Sequence, residues 1–296
     1  MTTTATLNGF IRRDLVTDGP VLIRVNGPAD GPIPWEAAPP IAIHDARALQ
    51  TGDLPVDAFL AANGFVLADH VSQVADWDSG ASQDPSKNDI LRVYMPEIEA
   101  LIRDRLLPGR KLEIRQGPYL VRRGPGSNPY AQGVHQDHGL TPDDYMESLE
   151  AFSTPEYAQS WRAHYDQPDV AGYMVLNFWR TVYMDQPLQH MPLAICHPAS
   201  VAPDDLVPAA LVDFAPSGKN TNQLSPRYNP EHRWHYYPDM TTGEVLVFKI
   251  FEHFKEASEA GLKTVFHTAF AHPETPADAP ERQSCEHRVG VFILKD

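Results

Sequence analysis

The sequence predicts a mainly β protein with flanking helices, its core a double-stranded β-helix, or jelly roll. Two observations point there. From residue 169 onward, short apolar runs alternate with turn residues: 172–183, 193–196, 232–237, 244–251, 264–270 and 286–294. Six short strands in succession suit two stacked antiparallel sheets of the cupin-like kind. The chain also carries 28 prolines in 296 residues, which suits a loop-rich, strand-dominated protein, because proline removes a backbone donor that helices and central strands need.

Taken in order, residues 1–40 alternate strand-like runs such as 21–25 with Gly-Pro turns and read as a peripheral arm. Residues 41–47 form a short strand candidate, 57–63 a helix and 64–67 another strand-like run; the polar stretch 74–89 reads as an exposed loop. The clearest helix is 90–107: Ile90, Val93, Tyr94, Ile98, Leu101 and Ile102 recur at helical spacing, and Pro108-Gly109 stops it. Such a helix braces the outside of a sheet. Residues 112–123 are strand-like and 124–129 a loop. Residues 141–166 read as helical with Thr141 as N-cap. They are expected to form an insertion, about 139–168, at the barrel mouth, where such segments act as lids. Neither an internal repeat nor a linker is evident. The expectation is one domain, 1–296, with 1–110 as arm and bracing helix and 111–296 as jelly-roll core.

A formal net charge of −15 leaves no basic stripe to neutralise phosphates, which argues against nucleic-acid and anionic-membrane partners. Cys196 and Cys285 are too few and too far apart for a disulfide framework or a zinc-type pair. The start of the chain lacks the basic and apolar regions of a signal peptide, and no apolar run reaches the length of a membrane span. A cytoplasmic protein acting on a small molecule is the expectation; oligomeric state is not legible.

The motif that organises the chain is the His-x-Asp triplet at 135–137. On a strand, His135 and Asp137 project to one side and Gln136 to the other. An imidazole and a carboxylate on one face supply two corners of a 2-His-1-carboxylate triad, which leaves open positions on Fe(II) for O2 and an organic acid. The third ligand must come from a distant strand, and His267, at the start of a strand near the C-terminus, is the best placed. His138, His232, His235, His253 and His272 are weaker candidates by position.

Beyond His267 comes Arg282-Gln283-Ser284 and then a final strand. A co-substrate such as 2-oxoglutarate needs a cation for its distal carboxylate. A guanidinium supplies two parallel hydrogen bonds, and a hydroxyl two residues on adds a third from the same strand face. Arg288, mid-strand and on the same facing, is the rival; Arg282 is favoured. Asn177 and Arg180 interrupt an apolar run and need partners if buried. They read as pocket contacts or as a core network. Trp234 and Tyr236 read as pocket wall or core.

These stretches together resemble the Fe(II)/2-oxoglutarate-dependent oxygenases, and within them the branch of gibberellin-desaturase-like and cephalosporin-methoxylase-like proteins and fungal hydroxylase/desaturases. The resemblance is carried by residues 134–137 (VHQD), 177–180 (NFWR) with Pro187-Leu188, 200–208, 233–240, 244–249 (EVLVFK), 267–270 (HTAF) and 280–284 (PERQS). It covers roughly 110–296, while the N-terminal third matches loosely. It implies hydroxylation or desaturation of a metabolite, coupled to conversion of 2-oxoglutarate to succinate and CO2. Departures at 185–194 and at Phe251-Glu252-His253 fall where substrate contacts are expected. The alternatives are a cupin-like dioxygenase or isomerase that does not use 2-oxoglutarate, and a catalytically silent binding barrel. A zinc hydrolase lacks its Glu-bearing motif.

Overall fold

The computed structural model describes residues 2–15, 18–24, 34–126, 130–256 and 261–296. Val25 of the first strand-like run and residues 127–129 of the loop before the triplet lie outside them.

A five-stranded antiparallel sheet forms one wall, in the order Phe65–Asp69, Glu244–Phe254, Val170–Thr181, Gln283–Leu294, Leu112–Arg123. The central strand Val170–Thr181 is covered on both faces, which is why it reads as a near-continuous apolar run. The second wall has the order Thr2–Ala5, Ile41–Asp45, Trp234–Tyr236, Leu193–Cys196, His267–Ala269. It is prolonged by single bridges, His135 to His267 and Gln136 to Leu224, toward a three-stranded sheet of Thr221–Pro226, Leu206–Val212 and Val21–Arg24. The jelly-roll core expected from the sequence is present.

Several elements differ from expectation. The region 1–110 is more than an arm and a brace. Its strands Thr2–Ala5 and Ile41–Asp45 build one sheet, and Phe65–Asp69 forms an edge of the other. The strands Leu206–Val212 and Thr221–Pro226 were not foreseen, because proline and polar residues break their apolar pattern. Residues 74–89 are not simply an exposed loop. Trp77 is buried against Tyr94, ring centroids 4.9 Å apart, and the buried Asn88 amide donates to Gly80 O, Ser82 O and the Tyr119 hydroxyl.

The bracing helix is there, but only Met95–Leu101 is α-helical; Ile90–Tyr94 and Ile102–Leu106 are wound as π-helix. Pro96 accounts for the first of these, since it has no N–H for the Arg92 carbonyl and its ring crowds that oxygen. The Met95 N–H accordingly reaches back to Ile90 O. The predicted insertion forms two helices, Pro142–Phe152 and Pro155–Tyr165. Thr141 caps the first in a reciprocal box with Asp144. Tyr145 and Trp161 pack on Tyr173 at 5.1 and 5.2 Å between centroids, and Tyr145 on Phe251 at 4.9 Å. No helix among the described residues is long and apolar enough to cross a membrane.

Candidate metal centre

The triplet does not lie on a continuous strand. His135 and Gln136 each make one bridge, to different neighbours, and these two bridges set its geometry. The His135 and His267 backbones exchange hydrogen bonds, N–H to O at 3.2 and 2.9 Å. Gln136, fully buried, is fixed on the other side. Its N–H donates to Leu224 O, its Nε2 donates to His138 O at 2.9 Å, and Thr264 Oγ1 donates to its Oε1 at 2.5 Å. A residue that read as a spacer is therefore the latch that holds its two neighbours facing inward.

His135, Asp137 and His267 each offer a ligand atom, all within 4.8 Å of one another. Asp137 Oδ1 lies 3.3 Å from His135 Nε2 and 3.7 Å from His267 Nε2. His135 Nδ1 sits 2.7 Å from Gly133 O. Donation there puts a proton on Nδ1 and makes Nε2, the nitrogen facing Asp137 and His267, the one that would bind a metal once it gives up the proton it shares with Asp137, the arrangement metal-binding histidines use. The Phe248 ring packs on His267 at 4.8 Å. Burial and the neighbouring His135 push His267 down to about 4, so it is neutral at pH 7. Burial also works against a charged His135, yet the Asp137 hydrogen bond and charge outweigh it and raise its pKa. For Asp137, burial is outweighed by Arg288 and the two imidazoles, and the carboxyl is held well below the ordinary range. Two imidazole nitrogens and one carboxylate oxygen on one side form a donor set that fits Fe(II) with open positions.

The inner face of the first wall is written along the last strand. In register, Ser284 faces Thr181, Glu286 faces Trp179 and Arg288 faces Asn177, while Cys285 and His287 point to the outer face with Arg180 and Phe178. Arg288 Nε donates to Asp137 Oδ2 at 2.7 Å, and its Nη1 lies 3.6 Å from Glu286 Oε1. Arg122 Nη1 reaches the same Glu286 oxygen at 3.0 Å. Arg282 is buried, with its guanidinium 4.0 Å over the Tyr130 ring and 5.4 Å over Trp179. Its Nη1 donates to Met191 O at 2.6 Å, its Nε has no partner, and among the described residues no carboxylate pairs with it. Burial lowers it to about 10, still charged at neutral pH.

Asn177 shares a cross-strand row with Arg288 and Phe248, and its Oδ1 is buried without a partner among the described residues. The other three pocket candidates sit elsewhere. Arg180 is on the outer face, where it binds His70 Nδ1, His70 O and Thr242 O beneath the rings of Trp77 and Tyr94. It is a core network, not a pocket contact. In the second wall, His267 and His235 share a row through Ile195. Strand alternation therefore turns Trp234 and Tyr236 to the opposite side, into a separate core with Phe10 and Phe270, and the Tyr236 hydroxyl meets His272. The remaining histidine candidates are held elsewhere: His232 by Asp205 at 3.0 Å and His253 by the Tyr165 hydroxyl at 2.6 Å. His138 lies against Tyr145 at 5.0 Å, and burial lowers it to about 4.

Sequence reading passed over Gln136, Glu286 and Arg122. For Glu286 the signal was present, since it continues the alternation of Ser284 and Arg288 on one strand face. Gln136 and Arg122 had no such signal.

Among characterised proteins, the chain is 34% identical over 126 residues to the hydroxylase/desaturase CTB9 of Cercospora beticola, covering 40% of this chain and 36% of that protein. It is 30% identical over 123 residues to the Fe(II)/2-oxoglutarate-dependent dioxygenase nvfI of Aspergillus novofumigatus, covering 40% of this chain and 41% of the relative. It is also 32% identical over 122 residues to the aspirochlorine biosynthesis protein N of Aspergillus oryzae, covering 40% of this chain and 47% of that one. The matched stretch is thus under half of each relative's own length. Among solved structures, the iron and alpha-ketoglutarate-dependent endoperoxidase NvfI superposes with a TM-score of 0.68 at 20% identity, over 100% of this chain and 98% of that one. A variant of it gives 0.71 at 21% over 100% of both chains. The fold is therefore the one these iron and alpha-ketoglutarate-dependent enzymes have. The family model described as the oxidoreductase/YMDC permease-like domain matches residues 30–292, nearly the whole chain, and the protein belongs to that family.

Proposed function

We propose that the protein is an Fe(II)/2-oxoglutarate-dependent oxygenase that hydroxylates or desaturates a small-molecule metabolite. The observation that carries this reading is a pairing: a three-donor facial group on one wall, and on the other a buried guanidinium with no carboxylate partner among the described residues. Bound Fe(II) and 2-oxoglutarate would supply the oxidising power, with O2 consumed and the co-substrate converted to succinate and CO2.

The chain's own residues would do the rest. His135, Asp137 and His267 would hold the metal through one face, His135 already oriented by Gly133 O. Arg282 would take the distal carboxylate of 2-oxoglutarate with the Ser284 hydroxyl beside it, in a dry aromatic setting where a charge-assisted pair is strong. Arg288 is the weaker choice for that task, because Asp137 and Glu286 already engage it. Asn177, its Oδ1 unpartnered on the inner face, is the proposed contact to substrate or co-substrate. The helices of the insertion bring Tyr145 against His138 beside Asp137, which supports a role in covering the substrate. Relatives named as hydroxylase/desaturases support a small metabolite as substrate. Two free, buried cysteines fit a reducing cytoplasm.

The test is an anaerobic titration with Fe(II) and then 2-oxoglutarate, following the weak visible charge-transfer band of the chelate. The band is expected in the wild type, absent in His267→Ala, and shifted to much higher co-substrate concentration in Arg282→Ala. Bound iron with no band would overturn the 2-oxoglutarate assignment in favour of a cupin-like enzyme that does without it. No iron binding would overturn the metal centre itself.

A further inference from the structure

We propose that Arg288 is a positioning residue for the metal carboxylate, held in place by Glu286 and Arg122; the inference rests on the metal centre proposed above. The two oxygens of Asp137 have different surroundings. Oδ1 faces both imidazole Nε2 atoms, at 3.3 and 3.7 Å, while Oδ2 accepts from Arg288 Nε at 2.7 Å. With Oδ2 tied, Asp137 offers the metal one oxygen only and cannot swing to a two-oxygen grip. That preserves the open positions a facial triad depends on.

A cation this close to a dication site is repulsive on its own. Here it is one link in an alternating chain along the inner face: Arg122 to Glu286 at 3.0 Å, Glu286 to Arg288 at 3.6 Å, Arg288 to Asp137 at 2.7 Å. Two cations and two anions sum to zero, so the site keeps the hydrogen bond without the full repulsion. Glu286 also attracts Nη1, a different nitrogen from the Nε that meets Asp137, which favours one orientation of the guanidinium.

Orientation and charge predict opposite signs, and that makes the inference testable. The experiment is anaerobic calorimetric titration of the 296-residue chain with Fe(II), and with Co(II) for its visible spectrum. The variants are Arg288→Gln, Arg288→Lys and Glu286→Gln, with Arg282→Lys alongside. Positioning predicts that Arg288→Gln weakens metal binding about 10- to 100-fold and alters the Co(II) bands. Arg288→Lys, which keeps one charged donor, should recover part of the loss. Glu286→Gln should move in the same direction by less, and Arg282→Lys should leave metal affinity unchanged.

If Arg288→Gln does not fold by circular dichroism, Arg288→Lys and Glu286→Gln read the same quantity. Tighter metal binding on loss of Arg288 would make it a mere counter-ion and overturn the proposal. So would unchanged metal binding with a raised 2-oxoglutarate requirement, which would make Arg288 the co-substrate clamp. A wild type that binds neither metal overturns the metal centre, whereas a wild type that binds while its variants bind equally well overturns only the role of Arg288.

Discussion

Arg180 and Arg282 are alike by every measure that the sequence or a burial profile offers. Each is 2% exposed and each lies over two aromatic rings. They differ in how many of their hydrogen bonds the protein itself satisfies. Arg180 makes three, to a ring nitrogen and two backbone carbonyls, which ties the strand Val170–Thr181 to the segments around His70 and Thr242; among the described residues only its Nε is left without a partner, and it too meets no carboxylate. Arg282 makes one side-chain bond, to Met191 O, and meets no carboxylate among the described residues. A buried arginine is thus no sign of a ligand site by itself. A buried arginine with most of its donors left over is such a sign, because leaving a buried charge with so few partners costs more than the fold would otherwise bear.

That difference predicts opposite outcomes for the same substitution. Arg180→Ala removes a large, well-bonded side chain and strands its partners. We expect a loss of roughly 4 kcal/mol in urea unfolding, with metal and co-substrate affinities of the folded fraction unchanged. Arg282→Ala should do the reverse. Stability should change by less than about 1 kcal/mol, since an uncompensated buried cation is removed. Co-substrate binding should weaken about 100-fold, roughly 2.7 kcal/mol. If both variants lose stability and neither loses affinity, the comparison collapses and Arg282 is a structural residue like its counterpart.

The outer face can be probed separately through pH. His287 is fully buried beside Tyr94, neither ring nitrogen has a partner among the described residues, and burial holds it down to about 4. The unfolded chain, with an ordinary histidine, takes up the proton first as pH falls below about 6.5. Stability is therefore complete above that value, drains away between pH 6.5 and 4, and loses nothing further from this group below 4. Over the first pH unit the loss should be about 1 kcal/mol. His287→Phe should flatten the slope of stability against pH without affecting metal binding. An unchanged slope would mean that His287 finds a partner in solution.

How much of this was legible depends on whether a property is local or relational. The strands at 112–123 and 193–196 have the bounds that their apolar runs and turns indicate, and the His-x-Asp and Arg-x-Ser spacings needed no fold to be read. The phase of a strand was not local. Trp234 and Tyr236 stayed open between pocket wall and core until register showed that His235, not its neighbours, shares a row with His267. Arg180 could not be decided between pocket contact and core network for the same reason, lying one residue out of phase with Trp179 and three from Asn177. The strands at 206–212 and 221–226 were missed because their burial comes from tertiary neighbours rather than from their own pattern. Gln136 could not have been singled out, since its partners Leu224 and Thr264 are far away in sequence.

The smallest predicted effect is the most discriminating for the clamp. Ser284 is buried on the inner face, opposite Thr181 on one side and Arg122 on the other. If its hydroxyl donates to the same carboxylate as Arg282, Ser284→Ala removes one neutral hydrogen bond to a charged group, worth about 1.5 kcal/mol or roughly tenfold in co-substrate affinity. The unfolding midpoint should stay where it is. The Arg282→Ala Ser284→Ala double variant then decides whether the two act on one ligand group. Separate roles would make the losses add, whereas a shared carboxylate makes the serine's contribution shrink once the guanidinium that orients the ligand is gone. Additive losses would place the Ser284 contribution away from the carboxylate that Arg282 holds, and no loss on Ser284→Ala would leave Arg282 as the sole anchor and return Ser284 to the sheet.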